Sequence, residues 1–335
     1  MRVFKYRGGA FSRDLKSLED NVFWSPVRSQ LNDPCEGLFE ETTLAGQLDL
    51  IDCLYVKHTH SIKSSFEDVK IAIQNLFQFI DKSGVYSLSR TPLEELLWAH
   101  YAASHTGFCI EFDIDALIKY ELNDYSILHV KYKEGPETIT MDDFEEKKFL
   151  EKMFGIKSKV WEYEKEIRVI TSASGLHNYD FRAVKAIYFG LRMPDVQKKE
   201  LMQTLQGRGI NYHQVQLKAL SYKFEYVPVE DPFIMATKYK YFIAPIAKGA
   251  LAPEYVNEKY MPYVDYLYKA AEIVRREPDC NEVEMVEFST SKGSIDNPVI
   301  FVQYRRKENR WVNHYLNLTE IDELYALIDD KTVVM

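Results

Sequence analysis

The sequence predicts an α+β fold: mixed or antiparallel central sheets with flanking helices over residues 1–228, then a small α-β-β-β-α module over 229–335. Three observations carry this. Short strand candidates, marked by alternation or by apolar runs, are interspersed with amphipathic helices along the first part. Val227-Pro228-Val229-Glu230-Asp231-Pro232 places two prolines in a short acidic stretch, which marks a boundary. Beyond it lie one helix, three strands and a final helix, enough chain for an independent unit.

The elements follow in order. Val3–Arg7 is a strand ending at Gly8-Gly9, where the chain can turn tightly. Ser12 caps a helix to about Asp20, and Asn21–Ser25 is a strand stopped by Pro26. Leu31-Asn32-Asp33-Pro34-Cys35-Glu36-Gly37 is turn chemistry, with Asn32, Asp33 and Glu36 as candidates for the rim of a pocket. Residues 38–63 are ambiguous, with a helix and then a short strand around Leu54–Val56. Phe66–Asp81 has helical spacing and Tyr86–Ser89 reads as a strand. Thr91 and Glu94 form a capping box with Pro92 at the first helical position, so Leu93, Leu96, Leu97, His100 and Tyr101 share one inward face. Phe108–Phe112 is a buried strand, Ile114–Tyr120 a helix capped by Asp113, Ile127–Tyr132 a strand, and Asp142–Ser158 a charged helix. Strands at 183–189 and 211–217 flank a helix at 194–205, and Tyr222–Val227 is the last strand of this part. In the C-terminal module, Pro262–Arg275 is a helix, 283–289, 299–305 and 311–318 are strands, and Thr319 with Asp322 caps a helix to Ile328. No motif in this module carries chemistry, so interaction or homodimer formation is its expected role.

Composition bounds the function. A hydrophobic share of 46% with 28% charged residues is that of a globular protein. The net charge of −9 argues against a broadly electrostatic nucleic-acid binder. Cys35, Cys53, Cys109 and Cys280 have no metal-ligand spacing and read as reduced thiols, so no metal is expected. The first residues lack an apolar signal core and no run approaches the ~20 apolar residues of a membrane span, so the expected location is cytoplasmic, with no membrane partner.

Trp161-Glu162-Tyr163-Glu164-Lys165-Glu166-Ile167-Arg168 is the stretch most suggestive of chemistry. As a strand it puts Glu162, Glu164, Glu166 and Arg168 on one face, with Trp161, Tyr163, Ile167 and Val169 on the other. Like charges at alternate positions repel, so solvent, Arg168 or a ligand must offset them. A solvated edge strand is the plain alternative. His100 on an apolar face is as readily a hydrogen-bonded core histidine as a catalyst.

Lys5-Tyr6-Arg7, Asn32–Glu36, Leu97-Trp98-Ala99-His100-Tyr101, His105–Phe112, Trp161–Arg168 and Ala186–Gly190 follow one another in order along the chain. Over about residues 1–225 these motifs resemble one bacterial family, domain of unknown function twenty-nine seventy-one. The pattern is also similar, distantly, to the ADP-ribosyltransferase fold. That resemblance implies a basic residue on the first strand (Arg7), a middle motif (His100 with Tyr101) and a glutamate on a late strand (Glu164 or Glu166). There is no Ser-Thr-Ser on a middle strand. A role in bacterial defence or a toxin-like pathway would fit such relatives.

The chemistry this implies is cleavage of the nicotinamide glycosidic bond of NAD, with ADP-ribose passing to an unknown macromolecular acceptor. Positive charge developing on the ribose needs a carboxylate, Glu164 or Glu166, and a proton acceptor, for which His100 is a further candidate. The dinucleotide would be held by Lys5, Arg7 or Arg168 at its phosphates and by Tyr6, Trp98 or Tyr101 at its rings. Two other readings stand beside it. One is a non-catalytic sensor with a tyrosine-rich cleft. The other is a metal-dependent nuclease using Asp33, Glu36, Glu164 and Glu166, with Lys5 near a phosphate.

Overall fold

A computed structural model describes residues 1–40, 42–55, 60–119, 125–236, 239, 243–277, 280–307 and 310–328; the side chains of 51–55, 60–67, 70, 146 and 307 are outside the description. The chain forms two compact units, one of residues 1–205 with 209–233 and one of 206–208 with 234–335. No helix among the described residues is long and apolar enough to cross a membrane. Cys35, Cys109 and Cys280 are free thiols; the side chain of Cys53 lies outside the described residues.

The first unit is α+β and is built on an eight-stranded mixed sheet. Its strand order is Phe224–Val229, Asn211–Leu217, Val184–Phe189, Phe108–Asp113, Arg2–Arg7, Gly84–Ser89, Glu166–Thr171, Tyr125–His129. All neighbours are antiparallel except Val184–Phe189 with Asn211–Leu217, which the helix Asp195–Thr204 joins in parallel. Strand alternation sends Val3, Tyr86, Leu88, Ile110 and Ile167 into one core, with Leu15 and Leu18 of the helix Phe11–Glu19. Phe4, Tyr6, Cys109 and Tyr188 enter a second core with Leu97 and Trp98 of the helix Glu95–Tyr101. A third gathers Val85, Leu128 and Ile170 with Phe149, Met153 and Phe154 of the helix Glu146–Phe154.

One seam of this sheet is incomplete. Arg2–Arg7 pairs with Phe108–Asp113 along its whole length but with Gly84–Ser89 only at Phe4↔Ser89. Beyond that point the Gly84 end of its neighbour turns to other partners. Val85 N donates to Pro26 O at 2.8 Å, and Val27 bridges to Gly84. Pro26 ends the strand Val22–Ser25, which pairs with Gly175–Asn178. A proline-terminated strand therefore wedges the sheet open.

Several local expectations are corrected. The Thr91/Glu94 capping box does not form: the helix begins at Glu95, Glu94 is its cap position without a side-chain bond, and the Thr91 hydroxyl accepts from Leu93 N instead. Pro92 disfavours helical backbone at Thr91, so the chain stays extended. Asp142–Ser158 divides into a 3-10 turn, the helix Glu146–Phe154 and the strand Ile156–Ser158, broken at Gly155. Ile127–Tyr132 likewise divides into Tyr125–His129 and Lys131–Lys133. The cap of Phe11–Glu19 is Ala10 rather than Ser12. Asp113 does cap, over Ile114–Leu117, while Tyr120 lies outside the described residues. Thr42–Tyr55 and His60–Lys82 are helical, so no strand starts at Leu54, and Val56 is not described.

The second unit is a three-stranded antiparallel sheet, Glu282–Phe288, Val299–Lys307 and Arg310–Asn317, with the helices Val264–Val274 and Leu318–Ala326. Ile300, Val302 and Tyr304 alternate inward with Val312 and Leu316, and Leu267, Ala271 and Val274 are buried on the first helix. The last helix is capped by Asn317 with Glu320, a box two residues before the Thr319/Asp322 pair expected.

Gly107 illustrates how closely the first unit is fitted: a Cβ there would lie 2.0 Å from Arg7 O, against backbone that cannot yield. Gly107→Ala should therefore destabilise the unit by about 3 kcal/mol or more, read as a lowered urea midpoint with unchanged slope.

Candidate functional site

The opened seam holds a cavity of about 580 Å³. Lys5, Tyr6, Arg7, Arg13, Asp14, Trp24, Asn32, Tyr86, Ser87, Ser89, Tyr101, Lys157, Glu164 and Glu166 are all in its wall. The sequence candidates Lys5, Tyr6, Arg7, Asn32, Tyr101, Glu164 and Glu166 are thus brought together.

The stretch 161–168 reaches the cavity by a different geometry from the one expected. Lys159–Glu164 is a 3-10 turn, Lys165 is left-handed at φ 47°, and the strand begins only at Glu166. The single-faced row Glu162, Glu164, Glu166, Arg168 is therefore corrected: Glu162 is exposed, while Glu164, Glu166 and Arg168 are buried. A common cation explains the turn. Lys157 Nζ lies 2.5 Å from Glu164 Oε2 and 3.0 Å from Glu166 Oε2, drawing both carboxylates to one point. Ser89 Oγ donates to Glu164 O at 2.8 Å and Arg90 N to Lys165 O at 3.1 Å, which fixes the reversal.

Behind these groups Arg168 is fully buried. Its Nε and Nη2 donate to Glu166 at 2.8 and 3.0 Å, its Nη1 and Nη2 to Glu36 at 2.5 and 2.9 Å, and Nη1 also to Phe154 O at 2.7 Å. Burial alone would raise the Glu166 pKa, but the Arg168 charge and hydrogen bonds, with Lys157, outweigh it and hold the group at about 2. Glu166 is therefore ionised at neutral pH.

Glu164 is differently placed. The Tyr101 hydroxyl donates to Oε1 at 2.6 Å, and Asn32 Nδ2 donates to that hydroxyl at 2.6 Å. Burial, then the bond to Glu164, raises the Tyr101 pKa, so it stays a protonated donor.

The opposite wall is cationic. Lys5 Nζ donates to Ser87 O at 2.6 Å and lies 4.8 Å from the Tyr86 ring centre. Burial and then the neighbouring Arg7 charge lower its pKa to about 7, against the pull of Glu166, Glu164 and Asp14. Among the described residues neither Lys5 nor Arg7 is ion-paired to a carboxylate; Arg7 interacts with the Tyr86 hydroxyl.

Other candidates lie elsewhere. His100 is exposed, 3.2 Å from the Tyr163 hydroxyl, and outside the cavity wall; the buried side of its helix is taken by Leu97 and Trp98. Trp98 is fully buried against Tyr6, with Nε1 on Pro92 O at 2.7 Å, so its face is closed to a ligand. Arg168 has no free fork for a phosphate. Asp33 is buried and accepts from Cys35 N at 2.9 Å, and neither it nor Glu36 is among the residues of the cavity wall. Among the described residues no three His, Cys, Asp or Glu side chains form a metal-binding group. Lys157, Asp14 and Trp24 were not singled out by the sequence, whereas Ser87 and Ser89, alternating in Tyr86-Ser87-Leu88-Ser89, carried a legible polar face.

Residues 97–169 match the family described as a protein of unknown function (DUF2971). Over that stretch the chain is similar to the family. The matched segment contains Tyr101, Lys157, Glu164, Glu166 and Arg168, so the carboxylate wall lies within it. Lys5, Arg7, Asn32–Glu36 and Ala186–Gly190 lie outside the matched residues. No curated protein and no solved structure matches the chain.

Removing the guanidinium tests the clamp. Arg168→Met leaves Glu36 and Glu166 buried without their counter-charge and should cost about 3–5 kcal/mol in urea unfolding. Glu166 is depressed from 4.5 to about 2, so its stabilisation is full above the unfolded pKa and lost as pH falls through that window. The wild-type urea midpoint should therefore drop between those two pH values more than that of Arg168→Met.

Proposed function

We propose that the chain is an enzyme that binds a nucleotide in the opened seam and cleaves the nicotinamide–ribose bond of NAD, releasing or transferring ADP-ribose. The observation that carries this reading is a hydrogen-bonded carboxylate, Glu164, in the same cavity as the Arg7 guanidinium, which among the described residues is ion-paired to no carboxylate. About 580 Å³ is in the range of small-molecule sites. Arg7, with the more exposed Arg13, is suited to a pyrophosphate, and Trp24, half exposed at the wall, to stacking on a ring.

The chemistry asks for negative charge beside the ribose as nicotinamide departs. Glu164 supplies it. Tyr101 and Lys157 hold one oxygen each, and a carboxylate has further lone-pair sites to offer. Holding it in place beforehand lets it act without reorganising. Glu166 is a positioning residue: it anchors Lys157, which orients Glu164. The second unit would serve interaction or dimer formation.

A non-catalytic sensor is the second reading, favoured by one observation: both carboxylates are already held by cations or hydroxyls of the protein itself. Incubation with NAD, followed by mass spectrometry of released nicotinamide, separates the two. The wild-type chain should release nicotinamide, and Glu164→Gln should slow release by on the order of a hundredfold. Equal rates in the two proteins would remove Glu164 from the reaction, and NAD binding without release would establish the sensor.

A further inference from the structure

The least explained group in the cavity is Lys5. An exposed lysine carries its charge into water, and a buried one ordinarily finds a carboxylate. Lys5 does neither. Its strand continues the Phe4↔Ser89 register for no further pair, and the Lys5 side chain bends to the Ser87 carbonyl exposed by the missing ladder. Arg7, two residues along the same strand, adds a like charge to the same wall. Glu164 and Glu166 act on it from a distance, each already bound to Lys157, and Asp14 from the helix Phe11–Glu19. The Tyr86 ring covers one side.

Such a setting favours the neutral amine, consistent with the lowering of its pKa to about 7. A neutral amine can keep one N–H on the Ser87 oxygen and still present a lone pair to a molecule in the cavity.

We propose that Lys5 is a carbonyl-reactive amine, and that the cavity accepts a small aldehyde or ketone bearing an anionic group and joins it to Lys5 as an imine. The Lys5 nitrogen attacks the carbonyl carbon and a C–N bond forms. The carbonyl oxygen then leaves as water with two protons that began on the nitrogen, so no oxidant or reductant is needed. Arg7 and Arg13 hold the anionic group, and the Tyr101–Glu164 pair is the proton donor and acceptor in the same cavity. This goes beyond NAD cleavage and does not depend on it, because the amine reacts without NAD present.

The test uses pyridoxal 5′-phosphate, an aldehyde with a phosphate, trapped with borohydride on the full chain and mapped by peptide mass spectrometry. At neutral pH and short reaction times Lys5 should be labelled on the order of a hundredfold faster than exposed lysines such as Lys16. Its labelling rate should rise through a midpoint near 7. Pyridoxal without the phosphate should label it about tenfold more slowly, for want of the Arg7 and Arg13 contact. Lys5→Met should lose the adduct. Arg7→Gln, which keeps the amine, should slow labelling by the phosphate probe and move the midpoint upward. Labelling of Lys5 at the rate of the exposed lysines, or with the pH midpoint of an ordinary lysine, would overturn the proposal, as would an unchanged rate and midpoint in Arg7→Gln.

Discussion

The buried Arg168 guanidinium is the interaction on which the rest of the site depends. It is surrounded by protein on all sides and bonds to Glu36, Glu166 and the Phe154 carbonyl. Those three partners belong to the 33–37 turn, to its own strand and to the end of the helix Glu146–Phe154, so one side chain ties three parts of the chain together. Two carboxylates on one guanidinium leave excess negative charge, and Lys157 offsets it by bridging Glu166 to Glu164. Buried ion pairs add little net stability over apolar packing, but losing one member is costly. The network is therefore better understood as a device of position than of strength: it sets where Glu164 stands.

The opened seam gives that position a use. Had Arg2–Arg7 and Gly84–Ser89 paired along their length, the backbone would have closed the space that Lys5, Arg7 and Tyr86 now share. Pro26 and Val27 take the edge of Gly84–Val85 instead, and the side chain of Lys5 takes the Ser87 carbonyl. A sheet is ordinarily a barrier between two cores. Here residues that alternate to opposite faces, such as Tyr86 and Ser87, line the same cavity. The cationic and carboxylate walls face each other because the sheet between them is unzipped.

Much of this was legible in the sequence, and the failures have a common cause. Periodicity located the strands Arg2–Arg7, Phe108–Asp113, Val184–Phe189 and Asn211–Leu217 to within a residue or two, because each has an apolar face that packs. The grouping of Arg7 with Tyr101 and with Glu164 or Glu166 is what the resemblance to the ADP-ribosyltransferase fold implies, and alternation alone does not give it. Trp161–Arg168 was misread as one strand because alternation cannot reveal a left-handed residue: Lys165 breaks the row, held by contacts from Ser89 and Arg90 more than seventy positions away. His100 falls at the edge of its helix's apolar face, where periodicity does not separate buried from exposed, and Leu97 and Trp98 take the buried side. Lys157 left no local signal, since a lysine at the end of a charged segment looks solvated until its two glutamates are folded over it.

The two walls consequently differ in freedom, and that difference bears on what enters. On the carboxylate side nearly every donor and acceptor is committed: Glu164 to Tyr101 and Lys157, Glu166 to Lys157 and Arg168, Tyr101 to Asn32. A ligand there meets a rigid surface with fixed charge. On the other side Arg7 is ion-paired to no carboxylate among the described residues, so an anionic ligand gains its attraction without displacing an existing pair. The electrostatic gain of binding is thus concentrated at one wall while the geometric precision lies at the other. A molecule with its anionic group on Arg7 and its uncharged part toward Glu164 satisfies both, and the reverse orientation sets anion against committed carboxylate. The charge arrangement therefore favours one direction of entry for an anionic ligand.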